Sequence, residues 1–193
     1  MREFTITPNE AEQRFDKYLK KLLSEAPNSF IYKMLRKKNI VLNGKKSDGT
    51  EKLKTGDQVK LFLSDETFDK FSKREAENRK AGSLKQLKDE PLKVLYEDAD
   101  VLILDKPSGM LSQKAKPEDV SANEYILSYL LKKGDLTQEM MQTFKPSVCN
   151  RLDRNTSGIL IAGKSLKGLQ MMSKALKERS LEKYYRCIVS GRI

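Results

Sequence analysis

The sequence predicts an α+β protein built from two small modules joined by a charged segment. Three observations carry this reading. Apolar residues recur at helical spacing near the start; short apolar runs bounded by turn residues follow; and a stretch rich in Lys, Glu, Ser and Ala separates these from a second series of strand and helix patterns. A chain of 193 residues with 38% apolar and 34% charged residues holds one large or two small domains with modest cores.

Thr7-Pro8-Asn9-Glu10 has the form of a helix start, with Thr7 as cap, Pro8 at the first helical position and Glu10 closing a capping box. Ala11, Phe15, Tyr18, Leu19, Leu22 and Leu23 extend that helix towards Ala26-Pro27, and Asn28 or Ser29 caps a second helix bearing Phe30, Ile31, Met34 and Leu35. Short strands at 40–42 and 59–63, with turns at Asn43-Gly44 and Gly56-Asp57, complete a module over residues 1–66. Residues 67–91 read as a flexible or partly helical linker, in which Phe68, Phe71, Leu84 and Leu87 are the sizeable apolar residues. The second module, 92–193, opens with a hairpin of 94–96 and 101–104 across Asp98-Ala99-Asp100. A helix capped at Ser121-Ala122-Asn123-Glu124 runs to Leu131 and ends at Gly134. A strand at 159–162, a helix bearing Leu166, Leu169, Met172, Ala175 and Leu176, and a strand at 184–189 follow.

Composition narrows the function. The chain has no His, which excludes Ser-His-Asp and Cys-His catalysis and most metal-hydrolase chemistry. Its two cysteines, Cys149 and Cys187, form no paired motif, so neither a disulfide framework nor a zinc site is expected, and no metal is assigned. No apolar run reaches membrane-spanning length and the first residues lack a signal peptide's apolar core, which predicts a cytoplasmic protein without membrane contact. Lys and Arg outnumber Asp and Glu by 38 to 27, a formal charge of +11, and a polyanion is the natural partner. Lys33, Arg36, Lys37, Lys38, Lys45 and Lys46 lie between positions 33 and 46 with no acid among them. Lys33, Arg36 and Lys37 share a helix face, and Asn43-Gly44 folds Lys45 and Lys46 back beside them, a set able to follow a phosphate backbone. A solvated charged face is the plainer alternative.

Arg151-Leu152-Asp153-Arg154-Asn155-Thr156-Ser157-Gly158 sets one carboxylate between two guanidiniums just before a Gly-led apolar strand. Nearby positive charge favours an ionised Asp153 able to act as nucleophile or base, and the same residues also fit an ordinary Arg–Asp ion pair in a turn.

Asn150-Arg151-Leu152-Asp153-Arg154-Asn155-Thr156-Ser157-Gly158 resembles the active-site motif His-Arg-Leu-Asp-x-x-Thr-Ser-Gly of the RluA-type pseudouridine synthases. Tyr96-Glu97-Asp98, Val101 to Leu104 and Lys106-Pro107-Ser108-Gly109 resemble the family's opening strands and its Lys-Pro-x-Gly turn, and Lys183-Tyr184-Tyr185 resembles its Lys-x-Tyr strand. The opening residues resemble the αL RNA-binding domain of ribosomal small-subunit protein four, and the whole stands close to the large-subunit rRNA synthases. Two departures accompany the match: Asn150 stands where the pattern has His, and Ser112-Gln113 replaces a Val-His pair.

The resemblance implies a small αL RNA-binding domain followed by the first part of a mixed, largely antiparallel catalytic sheet with flanking helices. It implies uridine-to-pseudouridine isomerisation in RNA, without a cofactor, on large-subunit rRNA, with tRNA left open. Asp153 is the implied catalytic group, attacking sugar or base or removing a sugar proton to give a glycal. Tyr185 is the implied stacking residue beneath the target base. Arg151 is the implied filler of the gap left by an extruded nucleotide, with Lys33, Arg36, Lys37, Lys38, Asn43, Lys45 and Lys46 gripping RNA. Lys106, Asn150, Arg154, Thr156, Ser157, Gly158 and Lys183 shape the site. The family's later Gly-Arg-x-His-Gln-x-Arg motif is absent, so the resemblance implies a C-terminally truncated chain with little or no turnover of its own. A non-catalytic RNA binder is the competing class; a nucleoside hydrolase lacks its Asp cluster here. Oligomeric state is not readable.

Overall fold

The computed structural model describes residues 1–72, 82–84, 87 and 93–192. The first unit contains β1 (Arg2–Thr5), α1 (Phe15–Leu22), α2 (Asn28–Arg36), β2 (Ile40–Leu42), β3 (Lys45–Lys46), β4 (Gln58–Leu61) and α3 (Asp65–Phe71). Its antiparallel sheet has the order β1-β4-β2-β3. Phe15, Tyr18, Leu19 and Leu22 of α1, Ile31 and Leu35 of α2, and Ile40, Val59 and Leu61 of the sheet are buried together. Burial of this one apolar face, more than intrinsic propensity, holds helices as short as these.

The expected helix start at Thr7 is not formed. Thr7 and Glu10 make the predicted contact, both N–H and Oγ1 of Thr7 donating to Glu10 Oε2 at 3.1 Å. Glu12 then adopts φ 68°, which breaks the helical path. The cause is long-range pairing: the Glu12 N–H donates to the Leu53 carbonyl, that of Phe15 to Glu51 and that of Asp16 to Gly49, so α1 begins only at Phe15. Nor does Asn28 or Ser29 cap α2, because Pro27 takes the cap position and its carbonyl accepts from Phe30 and Ile31. Asn43 and Gly44 have φ 50° and 71°, the positive pair that a two-residue hairpin turn requires. The first stretch assigned to the linker is also ordered. Ser64 caps α3 by accepting from the Thr67 N–H, Phe68 is buried in the first core, and Phe71 packs on Phe30 at 4.6 Å between ring centroids. The first core therefore extends to Phe71, while most of 73–92 lies outside the described residues.

The second unit contains β5 (Lys93–Glu97), β6 (Val101–Lys106), α4 (Ala122–Lys133), α5 (Met140–Thr143), β7 (Ser147–Val148), β8 (Gly158–Gly163) and α6 (Leu166–Lys177). The sheet runs β5-β6-β8-β7, all neighbours antiparallel. The predicted hairpin forms, Asp98 Oδ1 accepting from the N–H groups of Asp100 and Val101, and the β5–β6 register shifts between Val94 and Tyr96. Ser121 and Glu124 make the predicted capping box of α4, and Gly134 ends it at φ 87°. Ile126, Leu127 and Leu130 of α4 close over Leu102, Leu104, Leu160 and Ala162.

Two features fix the far end of this sheet. Gly168 sits against the β5–β6 turn so closely that a Cβ there would lie 2.0 Å from the Asp100 carbonyl oxygen. Gly168→Ala is expected to cost about 1–3 kcal/mol of stability, read as a lowered urea midpoint. The other feature is Glu97, whose carboxylate accepts from Tyr129, Lys133 and Lys164. Burial alone raises its pKa, but the hydrogen bonds from Lys133, Lys164 and Tyr129 outweigh burial and hold it at about 2. A depressed carboxyl stabilises above its unfolded pKa and loses that contribution as pH falls towards the folded value. Glu97→Gln is therefore expected to cost of the order of 2 kcal/mol at pH 7 and progressively less from about pH 4 down to pH 2, read from urea midpoints of both proteins across pH.

The predicted strand at 184–189 is absent. Residues 181–189 pair with no strand, and Tyr184, Tyr185 and Ile188 are 85%, 68% and 102% exposed. An apolar, β-prone run becomes a strand only where a neighbour completes its hydrogen-bond ladder, and no such partner is present among the described residues. Cys187, expected in a strand, is likewise exposed.

Candidate active site

Asp153 lies on the loop that leaves β7 and returns as β8. The alternation is sharp here, since Leu152 is buried against the module while Asp153 faces solvent. A turn closed by the Thr156 N–H on the Asp153 carbonyl, 3.1 Å, presents the carboxylate outward. Gly158 restarts the strand at φ 133°, a conformation open to glycine and strained for other residues.

Side chains hold this loop on both flanks. Asn150 Nδ2 donates to the Ile159 carbonyl at 3.0 Å and its Oδ1 accepts from the Ile161 N–H at 2.8 Å. Ser112 Oγ donates to the Leu152 carbonyl at 2.7 Å and accepts from the Leu152 N–H at 3.0 Å. A second loop, 107–112, lies alongside: the Gly109 N–H donates to the Arg154 carbonyl at 2.8 Å and Ser108 Oγ to that of Asn155 at 3.0 Å.

Lys106 joins the two loops from beneath. It is fully buried at the end of β6, paired across the sheet with Gly158. Its ammonium donates to the carbonyls of Met110 (2.8 Å), Pro107 (3.0 Å) and Arg154 (3.3 Å). Burial lowers the Lys106 pKa, and the nearby Asp153 carboxylate works in the opposite direction by favouring the charged ammonium. Lys106 therefore ties the two loops together and sets a positive charge near Asp153.

The Arg–Asp ion pair, the plainer alternative for this motif, is not formed among the described residues. Asp153, Arg151 and Arg154 are exposed, and among the described residues none of them makes a side-chain hydrogen bond or ion pair, in keeping with the small free energy of a surface pair. The carboxylate and both guanidiniums are thus open to a ligand. Thr156 is half-buried and Ser157 exposed, both on the same loop. Lys183 and Tyr185 lie on the exposed tail, where Tyr185 makes no hydrogen bond or ring contact among the described residues. The loops bring Lys106, Asn150, Arg151, Asp153, Arg154, Thr156, Ser157 and Gly158 together. Tyr185 and Lys183 stand outside that framework.

In the first unit Lys33, Arg36, Lys37, Lys38, Lys45 and Lys46 are all exposed and form no ion pairs among the described residues. Asn43 differs from them. Its amide donates to Asp57 Oδ1 and accepts from the Gln58 N–H, so the side chain fastens the hairpin. Among the described residues no cluster of His, Cys, Asp or Glu has the form of a metal site. Ser112, noted in the sequence only as a departure from the family pattern, joins the site through its two bonds to Leu152.

The RNA pseudouridylate synthase family matches residues 100–193, a stretch that holds both loops, Lys106 and Asp153. Residues 100–193 thus carry the likeness to that family. Among curated relatives, an uncharacterized RNA pseudouridine synthase of Mycoplasma genitalium is 33% identical over 96% of the chain and 55% of the relative. The ribosomal large subunit pseudouridine synthase C of Escherichia coli is 31% identical over 96% of the chain and 53% of the relative. The chain thus spans about half the length of the curated relatives it matches. A solved human RNA pseudouridylate synthase domain containing 4 aligns with 54% of this chain and 34% of its own at 15% identity and a TM-score of 0.36, too low to bear on the site. No helix among the described residues is long and apolar enough to cross a membrane.

Proposed function

We propose that this chain acts on RNA in the cytoplasm as a pseudouridine synthase of the RluA type, with large-subunit rRNA as substrate and Asp153 as the catalytic residue. The reaction breaks the bond from C1′ of ribose to N1 of uracil and makes one from C1′ to C5, an isomerisation with no net redox change. One carboxylate is sufficient for it, and no cofactor is required. The observation that carries this reading is the unpaired, solvent-facing Asp153 on a loop pinned by Ser112, Asn150 and Lys106, within the stretch that matches the family. Arg151 is the filler of the space left by the extruded uridine, since its guanidinium is exposed and free to stack. The cations of α2 and β3, over a first module assigned to RNA binding, grip phosphates.

A second reading, RNA binding without turnover, is favoured by one observation: Tyr185, assigned to stack on the target base, stands exposed on an unpaired tail. The test is to incubate the protein with unmodified large-subunit rRNA and quantify pseudouridine by mass spectrometry, with binding followed in parallel. Conversion supports the synthase; binding with no conversion supports the second reading; neither overturns both.

A further inference from the structure

Ser112 and Asn150 have a common geometry that the motif does not account for. Each uses one donor and one acceptor of a single side chain to satisfy main-chain N–H and C=O groups at one flank of the loop that carries Asp153. Ser112 takes both groups of Leu152, the residue immediately before Asp153; Asn150 takes the Ile159 carbonyl and the Ile161 N–H, on the strand that follows. In a regular antiparallel pair these groups would bond to a neighbouring strand. Here β7 ends at Val148 and its ladder at the Cys149 N–H on the Ile161 carbonyl; beyond that the Asn150 side chain takes the next groups of β8, and Ser112 takes those of Leu152.

Both brackets are anchored in rigid structure. Ser112 is buried, its carbonyl accepts from the Asn123 N–H, and the Leu111 carbonyl accepts from the Ala122 N–H, which ties the clamp to the first turn of α4. Asn150 is tied directly to central strand β8. They also occupy the two sites at which this sequence departs from the family pattern, Ser for Val at 112 and Asn for His at 150. The departures fall where the loop needs a donor and an acceptor together, which Val lacks entirely.

We infer that Ser112 and Asn150 are a pair of positioning residues that fix the backbone on either side of Asp153 and so set the attitude of its carboxylate. The inference rests on the reading of Asp153 as the reacting group. Neither side chain touches the carboxylate; both act through main-chain groups. A misplacement of about 1 Å in a reacting group costs on the order of a hundredfold in rate, so loosening one flank is expected to appear in turnover and not in RNA affinity.

The test uses the full chain and three variants, Ser112→Ala, Ser112→Thr and Asn150→Ala. Single-turnover conversion at saturating rRNA, the RNA Kd, the thermal midpoint and amide hydrogen exchange by NMR are measured for each. Ser112→Ala is expected to lower the rate roughly ten- to a hundredfold, leave Kd unchanged and speed exchange of the Leu152 amide. Ser112→Thr, which keeps the hydroxyl, restores both rate and protection. Asn150→Ala gives the same loss of rate, with faster exchange at Ile161. A Ser112→Ala protein that keeps wild-type rate, or wild-type protection at Leu152, overturns the inference, as does a rate loss matched by an equal loss of affinity. Should the wild type itself convert no uridine, the reading of Asp153 fails, and unchanged exchange at Leu152 and Ile161 would separately remove the brackets.

Discussion

Asp153→Asn is expected to abolish uridine isomerisation while leaving fold and RNA affinity intact. The carboxylate faces solvent and makes no hydrogen bond or ion pair among the described residues, so exchanging one oxygen for an amide breaks no internal contact. A surface change of that kind alters stability by less than about 0.5 kcal/mol. Asn keeps the size and shape of the side chain and removes its basicity and nucleophilicity. Loss of the reacting group is expected to cost at least about a thousandfold in turnover. RNA affinity is assigned to other groups, Arg151 and the cations of the first unit, and is expected to stay within about twofold. Parallel measurement of pseudouridine yield, Kd and the thermal midpoint decides the matter. A variant that converts uridine at the normal rate would remove Asp153 from the reaction.

Reversing Arg36, Lys37 and Lys38 to Glu is expected to have the largest effect on binding. These side chains end α2 and its cap, exposed and without acidic partners among the described residues, so their charge is available to phosphate. Each neutralised phosphate releases condensed counterions, and losing three such contacts lowers the slope of log K against log salt by about 3, which amounts to roughly a thousandfold in affinity at about 0.1 M salt relative to about 1 M. The effect is sequence-independent and is read by titrating RNA at several salt concentrations. Stability is a useful control, because the apolar face of α2 (Ile31, Met34, Leu35) is untouched. An unaltered slope would reduce the cluster to a solvated face.

What the sequence made legible was local. The capping box of Ser121 and Glu124, the left-handed Gly134, the Asn43-Gly44 hairpin and the Asp98 turn each depend on contacts within a few residues, and each formed as expected. The Asp153 loop and the Lys106 turn were legible for a different reason, since they match a known pattern. The failures arose from distant partners. Thr7 and Glu10 made their local contact, yet residues 49–53 captured the backbone of 12–16 and delayed the helix. β1 was missed because it is held by β4, more than fifty residues away, and carries little periodicity of its own. Tyr184 to Val189 has the composition of a strand and, among the described residues, no ladder to join. The role of Ser112 was missed because it is visible only beside Leu152, forty residues on.

The slip in register at Leu95 bears on how the molecule tolerates crowding by its own kind. Among the described residues β5 borders the sheet with Val94, Leu95 and Tyr96 exposed, and a flat border of that composition is a template on which further chains add by strand pairing. The bulge spoils that template: an approaching strand that matches Lys93 and Val94 falls out of step at Tyr96. The exposed Lys93 at the end of the same strand adds a charge that any stacked copy would have to set beside its own. Among the described residues this apolar margin thus carries two features that oppose strand addition, a single unpaired residue and one ammonium group.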